Sequence, residues 1–137
     1  MAECIFCKIL AGEIPCTKVL ETERVLAFAD INPATRGHTL VIPKEHSVNV
    51  LDMGEEDMVE VASVARKVAR AMPGALGCKG VNLIHCADAV AWQEVFHFHL
   101  HVIPRYERGE LTPPWTGTPG DMKDIAAAAR SIAAKLA

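Results

Sequence analysis

The alternation of histidine with apolar residues between His97 and Val102 is the pattern that most restricts how this chain can fold. In the run His-Phe-His-Leu-His-Val every second side chain is an imidazole, and this is the period of a β-strand. We expect the apolar set to face a core and the imidazoles to face outward. At about 3.3 Å per residue, neighbouring imidazoles stand roughly 6.6 Å apart, so two rings can engage one substrate group and its leaving atom.

This run holds three of the six histidines of the chain. A half-buried strand whose solvent face happens to carry histidine is the alternative interpretation, but three imidazoles in register favour chemistry or metal binding. Imidazole exchanges protons near neutral pH and is also the commonest metal ligand in proteins. The run alone does not choose between these two uses.

Composition limits the class of protein. A length of 137 residues with 50% hydrophobic content predicts a single domain over residues 1–137. The net charge is −3, with 14 basic and 17 acidic residues, which argues against binding a nucleic acid polymer or an anionic membrane. The chain shows neither a leader nor an apolar run of membrane-spanning length, so we expect a cytoplasmic protein. The five cysteines are then more consistent with thiols or metal ligands than with disulfides.

The order of periodic segments predicts an α+β fold with a mostly antiparallel, five-stranded sheet and two main helices. A short helical turn is expected over Cys4–Leu10, an amphipathic helix over Glu55–Met72 that Pro73-Gly74 ends, a surface loop over 106–120, and a C-terminal helical segment over 121–137. That last helix runs from about Asp121, a plausible N-cap, to Leu136. The expected strands are Lys18–Leu20, Val25–Ala29, His38–Pro43, Gly80–Cys86 and the histidine strand.

Cys4 and Cys7 form a Cys-x-x-Cys pair, whose spacing lets two thiolates share one tetrahedral ion, usually Zn²⁺. Two ligands do not make a metal site. The alternative is that both cysteines are reduced and pack as small hydrophobic side chains.

Five segments together resemble the motifs of one family, in that family's order. They are Cys4-Ile5-Phe6-Cys7-Lys8-Ile9, Phe28-Ala29-Asp30-Ile31-Asn32-Pro33, Gly37-His38-Thr39-Leu40-Val41-Ile42-Pro43-Lys44, Gln93-Glu94-Val95 and His97-Phe98-His99-Leu100-His101-Val102-Ile103. The family is the histidine triad superfamily of nucleotide hydrolases and transferases, and the likeness is to its bacterial type, over roughly Cys4 to Arg105. The resemblance implies a homodimer in which the sheets of two subunits join.

The resemblance also implies a covalent mechanism, in which His99 attacks the α-phosphorus of a nucleoside phosphoramidate or dinucleotide and water hydrolyses the nucleotidyl-histidine. A neutral imidazole is both nucleophilic and a good leaving group. His101 would hydrogen-bond the phosphoryl oxygens or pass a proton to the leaving group. Gln93 would place its amide against the same phosphate, and backbone N–H groups near Glu94 and Val95 would bind its oxygens.

Two further sets of residues follow from the resemblance. Phe28 and Ile31 would line the base pocket, and Asp30 would accept hydrogen bonds from the ribose hydroxyls; alternatively, Phe28 belongs to the core and Asp30 to an Asx turn. His46 and His97 would complete a structural Zn²⁺ site with the two cysteines. In that case His97 would hold the strand and orient His99, and it would not act as a free acid or base. His38 is expected to be structural.

One segment departs from the family pattern. Where the family usually has a phosphate loop with glycine and asparagine, the chain has Cys86-Ala87-Asp88-Ala89-Val90-Ala91-Trp92. Trp92 replaces a common glycine, and Cys86 stands about where an asparagine is frequent. A bulky side chain does not let backbone approach a phosphate as glycine does, so loop shape and leaving-group preference are expected to differ. His85, just before this loop, has no assigned role.

Three functions are open at this point. The leading hypothesis is a nucleotide hydrolase or nucleotidyl transferase that acts at the α-phosphate of a purine nucleotide derivative. The second is a nucleotide-binding interaction protein with negligible turnover, and the third is a zinc-stabilised structural module. The leaving group, whether an amine, a polyphosphate or an aminoacyl group, is not determined by the sequence.

Overall fold

The computed structural model describes residues 3–136 as one sheet flanked by helices. The elements are α1 (Ile5–Leu10), β1 (Lys18–Glu21), β2 (Val25–Ala29), β3 (Thr39–Pro43), α2 (Glu55–Leu76), β4 (Gly80–Ile84), β5 (Leu100–Arg105) and α3 (Met122–Leu136), with 3₁₀ turns at Ala89–Ala91 and Arg108–Glu110. The strands lie in the order β1-β2-β3-β5-β4, and every neighbouring pair is antiparallel. The predicted α+β fold is therefore confirmed. The structure does not describe Met1, Ala2 and Ala137. The expected ends of the domain and the expected absence of a leader rest partly on these residues.

Both faces of the sheet are covered at its centre, because β3 is buried along its whole length and β2 is buried from Val25 to Phe28. One face packs against α2, and its core residues include Val25, Ala27, Val41, Val61, Val64, Val68, Phe98, Leu100 and Val102. The other face packs against Phe6 of α1 and consists of Leu26, Phe28, Leu40 and Ile42. Apolar side chains on both faces explain why these strands are continuous hydrophobic runs rather than alternating ones.

The histidine segment is only half a strand. β5 begins at Leu100, so His97 and His99 precede the ladder, and both are buried, at 0% and 8% exposure. The expectation that Phe98, Leu100 and Val102 face the core is correct. The expectation that the imidazoles face outward is wrong, because Phe6 covers that face, with its ring centroid 5.8 Å from that of His97 and 5.3 Å from that of His99.

Helix α2 extends beyond its predicted end. Pro73 lies inside the helix, which continues to Leu76 and ends at Gly77 in the left-handed region, with φ of 74°. Proline removes only its own N–H, and its fixed φ is compatible with a helix, so one proline near the C-terminus does not stop the chain from completing its last turn. The Gly77 N–H then donates to the Pro73 carbonyl at 2.9 Å and closes the helix.

Helix α3 is amphipathic but unburied. The Asp121 carboxylate accepts the Asp124 N–H at 3.3 Å, which agrees with the predicted N-cap. Every residue of α3 is nevertheless exposed, including Ile125 at 49% and Ile132 at 64%. The apolar side of this helix is therefore left uncovered by residues 3–136 of the same chain. None of the helices within this range combines the length and the apolar character needed to cross a membrane.

Candidate functional site

His99 is held as a neutral imidazole with one free nitrogen. Its Nδ1 lies 2.8 Å from the His97 carbonyl, which only accepts, so Nδ1 carries the proton. Burial lowers the pKa of His99, although the His97 carbonyl opposes this shift. The proton on Nδ1 leaves the lone pair on Nε2, and a bare ring nitrogen is what the predicted role of His99 as nucleophile requires.

His101 is part of a short hydrogen-bond chain that fixes its tautomer. The Ala34 N–H donates to His38 Nδ1 at 2.9 Å, so neutral His38 carries its proton on Nε2 and donates it to His101 Nδ1, also at 2.9 Å. His101 therefore carries its own proton on Nε2. Its ring centroid is 4.9 Å from that of His99, and burial, reinforced by His99 and His38, lowers the pKa of His101 to about 4.

His38 is thus a member of the site that sequence analysis treated only as structural. A signal for it was present in the strand period. Leu40 pairs with His101 across the ladder, and His38 stands two residues before Leu40, on the same side of the chain.

The segment after β2 lies beside these histidines. Asp30 Oδ2 is 3.6 Å from His38 Nε2, while Oδ1 accepts the Asn32 N–H at 2.8 Å in an Asx turn. Phe28 is buried against Phe6 in an edge-on contact of 5.5 Å, so its ring is part of the core, and Ile31 is 88% exposed. The structure brings Asp30 to the site and places Phe28 beneath it. The roles of Phe28, Asp30 and Ile31 in binding base and ribose stay predictions.

The side-chain amide of Gln93 forms all its hydrogen bonds with other residues of the chain. It is 4% exposed, and its Nε2 donates to the carbonyls of Val48 at 2.6 Å and Val95 at 3.0 Å. Its Oε1 accepts the Asp88 N–H at 2.7 Å and Asn49 Nδ2 at 3.2 Å. Both amide hydrogens therefore have partners, and contact of this amide with a phosphate, as predicted, would require one of them to be released.

The neighbouring backbone offers donors for an anion. Hydrogen bonds recorded for residues 3–136 include none donated by the N–H of Glu94 or of Val95. Glu94 is exposed and Val95 is half-buried. The binding of phosphoryl oxygens by these N–H groups stays a prediction.

The loop that lacks glycine adopts a glycine-like backbone. β4 ends at Ile84 rather than at Cys86, and the chain then turns through Asp88, with φ of 78° and ψ of 161°, and Trp92, with φ of 74° and ψ of 19°. Both φ values lie in the region that side chains with a Cβ rarely adopt. The Gln93 N–H donates to the Asp88 carbonyl at 3.1 Å and closes the loop. The glycine-free sequence therefore makes the tight turn at the expense of strain.

The side chains of Cys4, Cys7, His46 and His97 converge at the other end of the histidine segment. His97 Nε2 donates to the Pro43 carbonyl at 2.9 Å, so the neutral ring presents a bare Nδ1. This Nδ1 lies 3.3 Å from Cys4 Sγ, 3.6 Å from Cys7 Sγ and 3.1 Å from His46 Nδ1, and His46 Nδ1 lies 3.4 Å from Cys7 Sγ.

These separations fit a tetrahedral ion. With Zn–S of about 2.3 Å and Zn–N of about 2.05 Å, tetrahedral angles place nitrogen and sulfur about 3.6 Å apart and two nitrogens about 3.3 Å apart. In a metal-free site, burial raises the pKa of Cys7 to about 11, and the adjacent Cys4 adds to this shift. A cation reverses that preference, because it binds the thiolate.

A second cluster, Asp30, His38 and His101, also has its ligand atoms within 4.8 Å of one another. It does not fit a metal. His38 Nδ1 accepts a backbone N–H, so its Nε2 must carry the proton and has no lone pair for an ion. The tautomers thus distinguish a cluster at His97, which has a bare nitrogen that could bind a metal, from a cluster at His101, in which the facing nitrogen carries a proton.

Comparison with known proteins identifies the family of this chain. The HIT domain family matches residues 11–108, which is more than half of the chain. The chain belongs to the HIT domain family. The predicted resemblance to histidine triad proteins is thereby confirmed.

This HIT domain protein has relatives along nearly its whole length. It is 44% identical over 137 residues to Protein hit of Bacillus subtilis (strain 168), in a match that covers 98% of this chain and 94% of that protein. It is 37% identical to adenosine 5′-monophosphoramidase hnt1 of Schizosaccharomyces pombe, with coverage of 97% and 98%. Among solved structures, a Zn-bound histidine triad family protein from Mycobacterium smegmatis has a TM-score of 0.77 and 37% identity and covers 98% of this chain and 96% of its own.

Proposed function

We propose that the chain is a nucleotide hydrolase or nucleotidyl transferase that attacks the α-phosphate of a purine nucleoside phosphoramidate or dinucleoside polyphosphate. The observation that carries this proposal is the tautomer of His99, whose Nδ1–H is held by the His97 carbonyl while Nε2 keeps its lone pair. The name of the fission yeast relative, an adenosine 5′-monophosphoramidase, supports adenosine as the nucleoside and an amine as the leaving group.

In the first step, His99 Nε2 forms a bond to the α-phosphorus and the bond from phosphorus to the leaving group breaks. Neutral His101 donates its Nε2–H to a phosphoryl oxygen, and the N–H groups of Glu94 and Val95 take up the remaining charge. To pass a proton to the departing amine or phosphate, His101 must first take one up from solvent at Nδ1, and His38 must turn its Nε2–H away from that nitrogen. The negative charge of a bound phosphate favours this uptake because it raises the pKa of His101, and the Nε2 proton of the imidazolium then goes to the leaving group.

In the second step, water attacks the phosphorus of nucleotidyl-His99, and His101 Nε2, which gave up its proton in the first step, takes the proton that water loses. Release of one proton to solvent then returns His101 to its neutral form. The bond between phosphorus and Nε2 breaks, its electron pair returns to His99, and a nucleoside monophosphate leaves. Gln93 contributes to both steps by holding the loop in place. Any direct contact that it makes with the phosphate requires an amide hydrogen to leave the Val48 or Val95 carbonyl.

We further propose that Cys4, Cys7, His46 and His97 hold a structural Zn²⁺, supported by the distances among their ligand atoms. When bound, this ion supplies a rigid cross-link between α1, the loop after β3 and the start of the histidine segment. We also propose a cytoplasmic homodimer. The uncovered apolar side of α3 supports the dimer, and the five free cysteines support a reducing compartment.

A second candidate function is nucleotide binding with negligible turnover. It is favoured by the full engagement of the Gln93 amide and by the strained backbone at Asp88 and Trp92.

The experiment that separates the two candidates is AMP release from adenosine 5′-phosphoramidate and from a dinucleoside polyphosphate, by the wild type and by His99→Ala. We expect release by the wild type and a loss of at least about a thousandfold in the variant, with AMP still bound by both. The ratio of the two substrates then identifies the leaving group. If a folded wild-type protein that binds AMP releases none from either substrate, the hypothesis that the chain is an enzyme is refuted.

A further inference from the structure

His85 lies where the β4–β5 ladder stops. The last pair of that ladder joins Ile84 to His101, and β5 itself begins at Leu100. His99, one residue earlier, therefore stands outside the regular hydrogen bonds of the sheet. The His85 side chain reaches this position, with its Nδ1 3.0 Å from the His99 carbonyl. An imidazole thus continues the ladder by one step, at the residue that bears the nucleophilic nitrogen.

The hydrogen bonds of His85 define its tautomer completely. The His99 carbonyl can only accept, so His85 Nδ1 carries the proton, and the Val50 N–H donates to Nε2 at 3.1 Å. A neutral imidazole has one donor and one acceptor, and both are used here. His85 accordingly has neither a proton nor a lone pair left for acid–base chemistry or for a metal.

The plane of the His85 ring is fixed as well. It stacks on Phe98, with ring centroids 4.3 Å apart and an interplanar angle of 30°, and Phe98 is fully buried. The Nε2 of His85 accepts the hydrogen bond from Val50, which belongs to the same turn as Asn49. Asn49 in turn donates to the side chain of Gln93. His85 therefore connects the backbone of His99 to the turn that supports the phosphate loop.

We propose that His85 is a positioning residue, which fixes the backbone of His99 so that Nε2 points along the line of attack on phosphorus. This inference rests on the proposed role of His99 as nucleophile. The imidazole of His99 is already held by the His97 carbonyl at Nδ1 and by a T-shaped contact with the ring of Phe6. The bond from His85 adds the restraint on its main chain, so that ring and backbone are held together.

Three substitutions separate the two hydrogen bonds from the stacking. His85→Phe keeps an aromatic ring over Phe98 and removes both bonds. His85→Asn places an amide N–H near the position of Nδ1, so it can keep the bond to the His99 carbonyl. His85→Gln reaches toward the position of Nε2, so its oxygen can keep the bond from Val50.

We expect His85→Phe to lower kcat for adenosine 5′-phosphoramidate by roughly ten- to a hundredfold with KM within about twofold, since loss of orientation affects the transition state more than binding. His85→Asn should recover most of kcat and His85→Gln little, with melting temperatures recorded for all three. Wild-type kcat in a folded His85→Phe, or equal recovery by Asn and Gln, would overturn this role while leaving the proposed function intact. A folded wild type without turnover would overturn both.

Discussion

The buried amide of Gln93 allows its structural and phosphate-binding roles to be separated by stability alone. Replacing Gln93 with alanine removes two donated and two accepted hydrogen bonds. Each is worth about 0.5–1.5 kcal/mol net, and of the partners left behind Asn49 is buried while Val48 and Val95 are half-buried. We therefore expect Gln93→Ala to lower the free energy of unfolding by about 3–5 kcal/mol, or the melting temperature by roughly 10–20 °C.

Gln93→Glu is the matched test of geometry, since its side chain has nearly the same shape. One carboxylate oxygen would face the carbonyls of Val48 and Val95, which lie 2.6 and 3.0 Å from Nε2 in the wild type. We expect this variant to be at least as unstable as Gln93→Ala. Glu94→Ala, at the exposed neighbouring side chain, serves as the control and should change stability by less than about 0.5 kcal/mol.

The assay is urea unfolding followed by circular dichroism, with AMP affinity measured on the folded fraction. If Gln93 acted mainly as a phosphate ligand, the free energy of unfolding of Gln93→Ala would lie within about 1 kcal/mol of the wild-type value, and the variant would lose only catalysis or AMP binding. That result would refute the structural interpretation of its four hydrogen bonds.

Four further outcomes are expected. Trp92→Gly should raise the free energy of unfolding by about 0.5–1 kcal/mol, because glycine adopts the positive φ at that position without strain. The control Ala91→Gly should lower the free energy of unfolding. A loss of stability in Trp92→Gly would contradict the strain assigned to Trp92. Folding lowers the pKa of His101 from its usual 6.5 to about 4, so between these pH values the unfolded chain binds a proton that the folded chain does not. The free energy of unfolding of the wild type should therefore rise with pH across this range more steeply than that of His101→Asn. Equal slopes for the two proteins would contradict this. Protein purified without added metal should contain one zinc per chain and lose it in Cys4→Ala with a lower melting temperature, whereas no zinc and equal stability would exclude the site. Sedimentation should show a dimer that becomes a monomer when residues 121–137 are deleted, and an unchanged dimer would exclude α3 from the interface.

Local periodicity predicted much of this fold from the sequence. β2 has its predicted ends, Val25 and Ala29, because a continuous apolar run between polar residues defines both of its limits. The start of α2 at Glu55 also agrees with its acidic first turn. The end of α2 was missed, because proline was treated as a stop when it lay in a last turn that Gly77 could close.

The candidate site was predictable in its residue types and not in their surroundings. Strand period placed three imidazoles together, but their burial depends on Phe6, which is distant in sequence and packs against that face only in the folded chain. The use of each histidine depends on which nitrogen carries its proton, and that is decided by single contacts such as the one from Ala34 to His38. Strand period could have placed His38 on the same side of its strand as His101, but the contacts that define the tautomers leave no periodic trace in the sequence, so the roles of His38 and His85 could not be assigned from it.

The central claim, that His99 forms the covalent intermediate, is tested most directly by trapping it. Wild-type protein is mixed with adenosine 5′-phosphoramidate, stopped within milliseconds under alkaline conditions and digested for mass spectrometry, with His99→Ala as the control. We expect an adenylyl group on the peptide that contains His99, which decays as AMP appears and is absent from the variant. Turnover by the wild type with no adduct, or an adduct that persists in His99→Ala, would contradict this claim.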